Sequence, residues 1–183
     1  MSETLTRYTA IADDFEGRLL GISDQKWSAK SPCEDWCARD IAVHVINVHR
    51  AVNASLEGST PENINSDTPD LISNWKEARE SISSSLADPQ LASKTISGMF
   101  GEQPFESLVS RLLCTDTLVH TWDIARATGQ DEKLDSDAVT KAFEFLLPID
   151  EAIRRPGGFA PKIEPAPYSD EQTRFLNFCG RTV

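Results

Sequence analysis

The chain has no apolar run approaching the roughly 20 residues a bilayer-spanning helix needs, which argues against an integral membrane protein. It opens Met1-Ser2-Glu3-Thr4, without the basic region and apolar stretch of a secretory leader, so the expected location is the cytoplasm. Basic residues are in short supply: 18 Lys and Arg against 29 Asp and Glu, a net charge of −11. A field of that sign repels phosphate backbones and anionic lipid heads, so neither nucleic acid nor a membrane surface is an expected partner. Cysteine is limited to Cys33, Cys37, Cys114 and Cys179. The first two have no matching second pair, as a zinc ribbon or finger would require, and their spacing is not the C-x-x-C of oxidoreductases. In a reducing compartment all four read as free thiols used as small apolar fillers. Histidine is scarcer still, with only His44, His49 and His120.

What is present is an ordinary globular composition, 39% hydrophobic and 26% charged, in 183 residues. That length fits one domain spanning 1–183, with enough apolar material for a packed core. The apolar pattern is helical. Leu5, Tyr8, Ile11, Phe15 and Leu19 recur at three- and four-residue steps and predict a helix over Thr4–Leu20, stopped by Gly21. Ile41, Val45, Val48 and Val52 predict a second helix from about Ala38 to Leu56. A third is expected to begin at Thr68-Pro69, with proline in the first turn, and to end before Asp88-Pro89. The segment Thr95–Phe105, with Gly98 and Gly101, suits an extended turn or small hairpin. The clearest helix runs from about Pro104 to Thr128, ahead of Gly129. A fifth spans Ser136–Ile153 with a kink at Pro148, a loop covers Pro156–Pro167, and a terminal helix Asp170–Cys179. Long helices with short connections make this an all-α chain, a four-helix bundle with additional short helices. In such a bundle, sites form from inward-pointing side chains on facing helices.

Two of the three histidines sit on the strongest helical stripes. His44 is flanked by Val43 and Val45, and His120 follows Asp116 by four residues. Four residues of helix turn about 400°, so Asp116 and His120 point the same way, one turn apart. A carboxylate and an imidazole so placed can share a cation, with His44 as third ligand from another helix and an open position for water or substrate. The alternatives are a chance Asp-x-x-x-His pair and a core histidine bonded to a backbone carbonyl. Asp123, three residues beyond His120, either orients a ligand histidine or caps the helix surface. His49 is about 500° round from His44 and is expected at the surface. Trp36 and Trp122 read as core aromatics and Arg126 as a structural ion-pair partner. Ser110 and the other hydroxyls have no histidine at a spacing that would make a nucleophile.

The stretch Ser31-Pro32-Cys33-Glu34-Asp35-Trp36-Cys37-Ala38-Arg39-Asp40-Ile41-Ala42-Val43-His44-Val45 resembles a signature of the DinB/YfiT-like metal-binding proteins, in the actinobacterial branch that includes the N-terminal domain of mycothiol-dependent maleylpyruvate isomerases. Asp116-Thr117-Leu118-Val119-His120-Thr121-Trp122-Asp123-Ile124-Ala125-Arg126-Ala127-Thr128-Gly129 is similar to a second signature of that family. The close Phe175-Leu176-Asn177-Phe178-Cys179-Gly180-Arg181 resembles its Gly-Arg ending. The resemblance implies a DinB-like four-helix bundle whose divalent metal, often zinc, is held by residues falling here on His44, Asp116 and His120. The chain departs from the pattern at Asp116, where the isomerase carries glutamate. It also leaves no room for the additional C-terminal domain of the isomerase, which sets maleylpyruvate isomerisation itself aside.

By that analogy the expected function is thiol-dependent chemistry: a metal-activated thiol, mycothiol, attacks an electrophilic small molecule in an S-transferase or isomerase-like enzyme. Zinc is the expected metal, with nickel and iron suiting the same donors. The alternative is a non-catalytic metal-binding module or sensor, which a fourth protein ligand, with Asp123 the nearest candidate, would favour. A homodimer stays open, since bundle faces and dimer faces look alike in composition.

Overall fold

The computed structural model describes residues 2–98, 101–154 and 158–183. In chain order these form α1 (Glu3–Leu20), α2 (Ala38–Ala54), α3 (Leu71–Ala87), a one-turn α4 (Pro89–Ala92), the strands β1 (Thr95–Gly98) and β2 (Gly101–Pro104), a one-turn α5 (Phe105–Leu108), α6 (Cys114–Thr128), α7 (Ser136–Leu146), a one-turn α8 (Asp150–Ile153) and α9 (Glu171–Phe178). Among the described residues the regular structure is helical apart from a small hairpin, as the apolar periodicity and the two glycines of 95–105 predict.

Side-chain caps set the helix starts, because the first backbone N–H groups of a helix have no partner within it. Ser2 Oγ accepts from Leu5 N ahead of α1, Asp135 from Ala138 N ahead of α7, and Asp170 from Thr173 N ahead of α9. For α3 the cap is Asp70, which accepts from Ser73 N at 3.0 Å. Pro69 therefore lies outside α3 rather than in its first turn, and the helix starts at Leu71. Gly129, at φ 74°, ends α6 in the left-handed conformation that glycine adopts without a Cβ penalty.

The hairpin pairs Thr95 with Pro104, Ile96 with Gln103, Ser97 with Glu102 and Gly98 with Gly101, all antiparallel. Its turn at 99–100 lies outside the described residues. Pro104 is thus the last residue of a strand, not the first of a helix. The helical path after it is also not uniform. Val109–Leu113 form a π turn in which Cys114 N donates to Val109 O, five residues back. One extra residue per turn offsets everything downstream by about 100°. Pro148 falls in a 3₁₀ turn, Leu147–Ile149, between α7 and α8, where a kink is expected. Residues 158–167 form no helix or strand, while Pro156 and Gly157 of the expected loop lie outside the described residues.

The four long helices close into a ring: α1 packs on α3 and α6, and α2 packs on the same two. The core between them holds Phe15 against Trp75, ring centroids 4.7 Å apart at 64°, with Tyr8, Ile41, Ile46, Ile82 and Leu118. α7 packs on α6 and also on α9. This makes α6 an internal strut. From Cys114 to Ala125 every residue is buried except Asp116. None of the helices is long and apolar enough to cross a membrane among the described residues.

Candidate metal centre

The site is assembled where the segment leading into α2 meets α6. Ser31 N donates to Trp36 O at 3.0 Å and Trp36 N to Cys33 O at 3.2 Å, closing a turn with Asp35 at φ 65°. Cys37 N and Cys37 Sγ then both donate to Asp40 Oδ2 at 3.0 Å. The backbone bond from Cys37 is the main reason the Asp40 carboxyl sits below its ordinary range. This start fixes the phase of α2, so that His44 faces α6 while the turn sets the Trp36 ring 4.9 Å from the His44 ring and 6.0 Å from that of His120.

His44, Asp116 and His120 come together. His44 Nε2 lies 3.3 Å from Asp116 Oδ1 and His120 Nε2 lies 3.6 Å from the same oxygen. One donor atom from each of the three is within 4.8 Å of the others. Two donors each about 2.0–2.1 Å from a tetrahedral zinc stand roughly 3.3 Å apart. A good N–H···O hydrogen bond is shorter, about 2.7–3.2 Å. The spacing therefore fits the edges of a coordination shell better than a tight hydrogen-bonded cluster. Asp116 Oδ2 is buried and, among the described residues, has no hydrogen-bond partner. An unpaired carboxylate oxygen in a protein interior is costly, and a cation would satisfy it. The donor set, two imidazoles and one carboxylate, can hold a divalent ion of the zinc, nickel or iron kind.

The electrostatics tie the three side chains into one charge-coupled cluster. Burial pushes the Asp116 carboxyl up, but His120 and the hydrogen bond to His44 outweigh it and hold it at about 2. Burial lowers the His44 pKa, and the hydrogen bond and charge of Asp116 more than reverse that, leaving it above the ordinary value. The site opens to solvent on the His44 side: that side chain keeps 32% of its exposure, Asp116 18% and His120 only 8%.

Asp123 lies behind His120, fully buried. His120 Nδ1 donates to Asp123 Oδ2 at 2.9 Å. That bond leaves Nε2 as the lone-pair nitrogen, facing Asp116 and His44. Arg181 reaches Asp123 from beyond α9, donating through Nε to Oδ1 at 2.9 Å and through Nη2 to Oδ2 at 2.8 Å. Cys33 Sγ donates to Asp123 Oδ2 at 3.3 Å and accepts from Arg181 Nη2 at 3.0 Å. Burial raises the Cys33 thiol to about 12, far from a reactive thiolate. Cys33, His120 and Asp123 are also close enough to hold a metal ion. A guanidinium already occupies that carboxylate, however, and its charge opposes a second cation. For the same reason Asp123 is not free to close the shell around His44, Asp116 and His120.

His49 corrects an expectation. It is completely buried rather than at the surface, with Nδ1 donating to Val45 O at 2.8 Å and the ring set between Tyr8 and Trp75. The phase difference from His44 is real, but α2 packs on α3 as well as α6, so both directions lead inward. Burial lowers its pKa to about 4. Trp122 is a core residue, whereas Trp36 is only half-buried and belongs to the site. Arg126 pairs with Glu132 at 3.3 Å and lies over the Trp122 ring. Ser110 Oγ accepts from Arg7, with no histidine beside it. Sequence reasoning missed Cys33, Trp36 and Arg181 as parts of this centre. Their one signal was that each lies in a stretch that stood out as a motif.

A family model described as the mycothiol maleylpyruvate isomerase N-terminal domain matches residues 8–125, a span that holds His44, Asp116, His120 and Asp123 and stops short of Arg181. Two uncharacterized proteins of Mycobacterium tuberculosis, from strains CDC 1551/Oshkosh and H37Rv, are each 26% identical to the chain over 186 residues, covering 99% of both sequences. No solved structure matches it.

Proposed function

Since the chain belongs to the mycothiol maleylpyruvate isomerase N-terminal domain family, we propose that it is a metal-dependent enzyme of the cytoplasm that uses mycothiol as its thiol and acts as an S-transferase or isomerase-like catalyst on an electrophilic small molecule. His44, Asp116 and His120 hold the divalent metal, zinc by preference. Bound there, the metal lowers the pKa of a coordinated thiol so that thiolate is available near neutral pH.

The chain's own residues account for the rest. Asp116 supplies the negative charge that offsets the cation. Asp123 orients His120 through Nδ1 and so keeps Nε2 directed at the metal position. His44 stands on the open side, where a thiol and its reaction partner have access. Trp36 gives that mouth an aromatic wall, which excludes water from one flank and offers a flat surface to a small electrophile.

The observation that carries this reading is the buried, unpartnered Oδ2 of Asp116 beside two imidazole nitrogens at coordination-shell spacing. The test has two parts. Elemental analysis of purified protein is expected to give about one equivalent of metal in the wild type and little in His120→Ala; equal content in both removes the site assignment. Conjugation of mycothiol to a generic electrophile is expected to depend on the protein and to stop with chelator. Turnover that survives chelation, or no turnover by metal-loaded protein, sinks the enzymatic reading.

A further inference from the structure

Arg181 lies 58 residues from Asp123 in sequence and outside the α9 helix, yet it is almost fully buried and all of its guanidinium nitrogens are engaged. Nε and Nη2 grip the two oxygens of Asp123, Nη2 also reaches Cys33 Sγ, and Nη1 donates to Cys179 O at 2.9 Å. A planar guanidinium bound through two parallel N–H groups fixes the plane of a carboxylate as well as its position. The plane matters here because Oδ2 is also the atom that accepts from His120 Nδ1.

From this geometry we infer that Arg181 is a positioning residue for the metal centre, acting through Asp123 on the orientation and tautomer of His120. The inference rests on the proposed metal site and goes beyond it, since Arg181 touches none of the three ligands. The chain around it is built to present it. Gly180 has φ 79°, and a Cβ there would stand 2.7 Å from Ala160 Cβ and 3.0 Å from two backbone oxygens. Arg181 N donates to Leu176 O at 2.9 Å, and Asn177 Nδ2 donates to Arg181 O at 2.8 Å. The backbone is thus turned sharply off the end of α9, and the side chain runs inward to α6. Cys33 adds a third segment to the same contact, so the turn before α2, the strut α6 and the residues after α9 meet at one carboxylate.

Arg181→Lys keeps the charge but cannot make the two-pronged contact. Its Co²⁺ affinity, measured by competition with a chelator at a temperature where circular dichroism shows it folded, is expected to fall several-fold, within the about 10- to 100-fold that losing Asp123, the direct partner of the ligand histidine, would cost. The visible absorption bands of bound Co²⁺ are expected to shift, a change that loss of stability alone does not produce. Arg181→Met combined with Asp123→Asn leaves no buried unpaired charge and covers the case in which the single variant fails to fold. If Arg181 acts through Asp123, the double variant binds Co²⁺ as weakly as Asp123→Asn alone. Wild-type affinity and spectrum in Arg181→Lys, or additive losses in the double variant, overturn the inference while the metal site stands. A wild type that takes up no Co²⁺ overturns both.

Discussion

The rings of His44 and His120 stand edge to face, their centroids 4.9 Å apart and their planes at 73°. Two helices far apart in sequence thus present crossed imidazoles beside one carboxylate oxygen.

A metal held by folded protein alone stabilises that fold. At a free concentration a hundred times its dissociation constant, the gain is about 2.7 kcal/mol. In a chain of this size that amounts to about 5–10 °C in melting temperature. Calorimetry with and without chelator should show a drop of that order in the wild type and none in His44→Ala.

His49 gives the protein an acid-sensitive element set mainly by burial and touched by the charges of Asp116 and His44. Its pKa is about 4 when folded against an ordinary 6.5, so between those values the unfolded chain binds a proton that the folded chain refuses. Stability therefore falls as pH drops from 6.5 to 4 and levels off below, a loss of about 3 kcal/mol from this group. Urea unfolding at pH 7, 5 and 4 should show the slope in the wild type, and His49→Leu should be shallower by about one proton. Equal slopes would mean that the buried imidazole does not titrate as its surroundings require.

Trp36 should report on the site. Its ring lies against His44 and His120, so a paramagnetic ion such as Co²⁺ or Cu²⁺ held at the proposed site is expected to quench its fluorescence strongly. Trp36→Phe is expected to remove most of the quenching while metal stoichiometry stays unchanged. Undiminished quenching would place the ion elsewhere.

Trp75→Ala tests the framework apart from the site. Trp75 is fully buried against Phe15 and His49. Truncation should cost about 3–5 kcal/mol of unfolding free energy, the usual range for a large aromatic in a core.

Periodicity carried most of the architecture because amphipathic helices write their inward face into the chain. α1, α2 and α9 begin and end within a few residues of where Leu5, Ile41 and Phe175 place them, and α7 begins at Ser136 as expected but stops at Leu146, with the rest of the expected helix broken into a 3₁₀ turn and the one-turn α8. The departures have local causes. Pro69 looked like a first-turn proline, but Asp70 took the cap. Pro104 looked helical, but the hairpin ended on it. The π turn left no mark, since one added residue within Val109–Leu113 does not break the helical spacing of the apolar residues around it. At the site, His44, Asp116 and His120 could be proposed from spacing and resemblance because two of them share one helical face. Arg181 could not, because a contact spanning 58 residues has no period. Nor could the burial of His49, which depends on α2 having neighbours on both sides.

The reach of Arg181 back to Asp123 also has a consequence in time. A ribosome adding about 5–20 residues per second needs roughly 3–12 s to travel the 58 residues between them. Through that interval the nascent chain already carries both histidines and Asp116, but the guanidinium that squares Asp123 behind His120 has not been made. Metal captured early would meet a loosely aimed imidazole and be readily exchanged. If the proposed metal site is right, translation itself holds back firm loading until Arg181 has been made and has docked on Asp123.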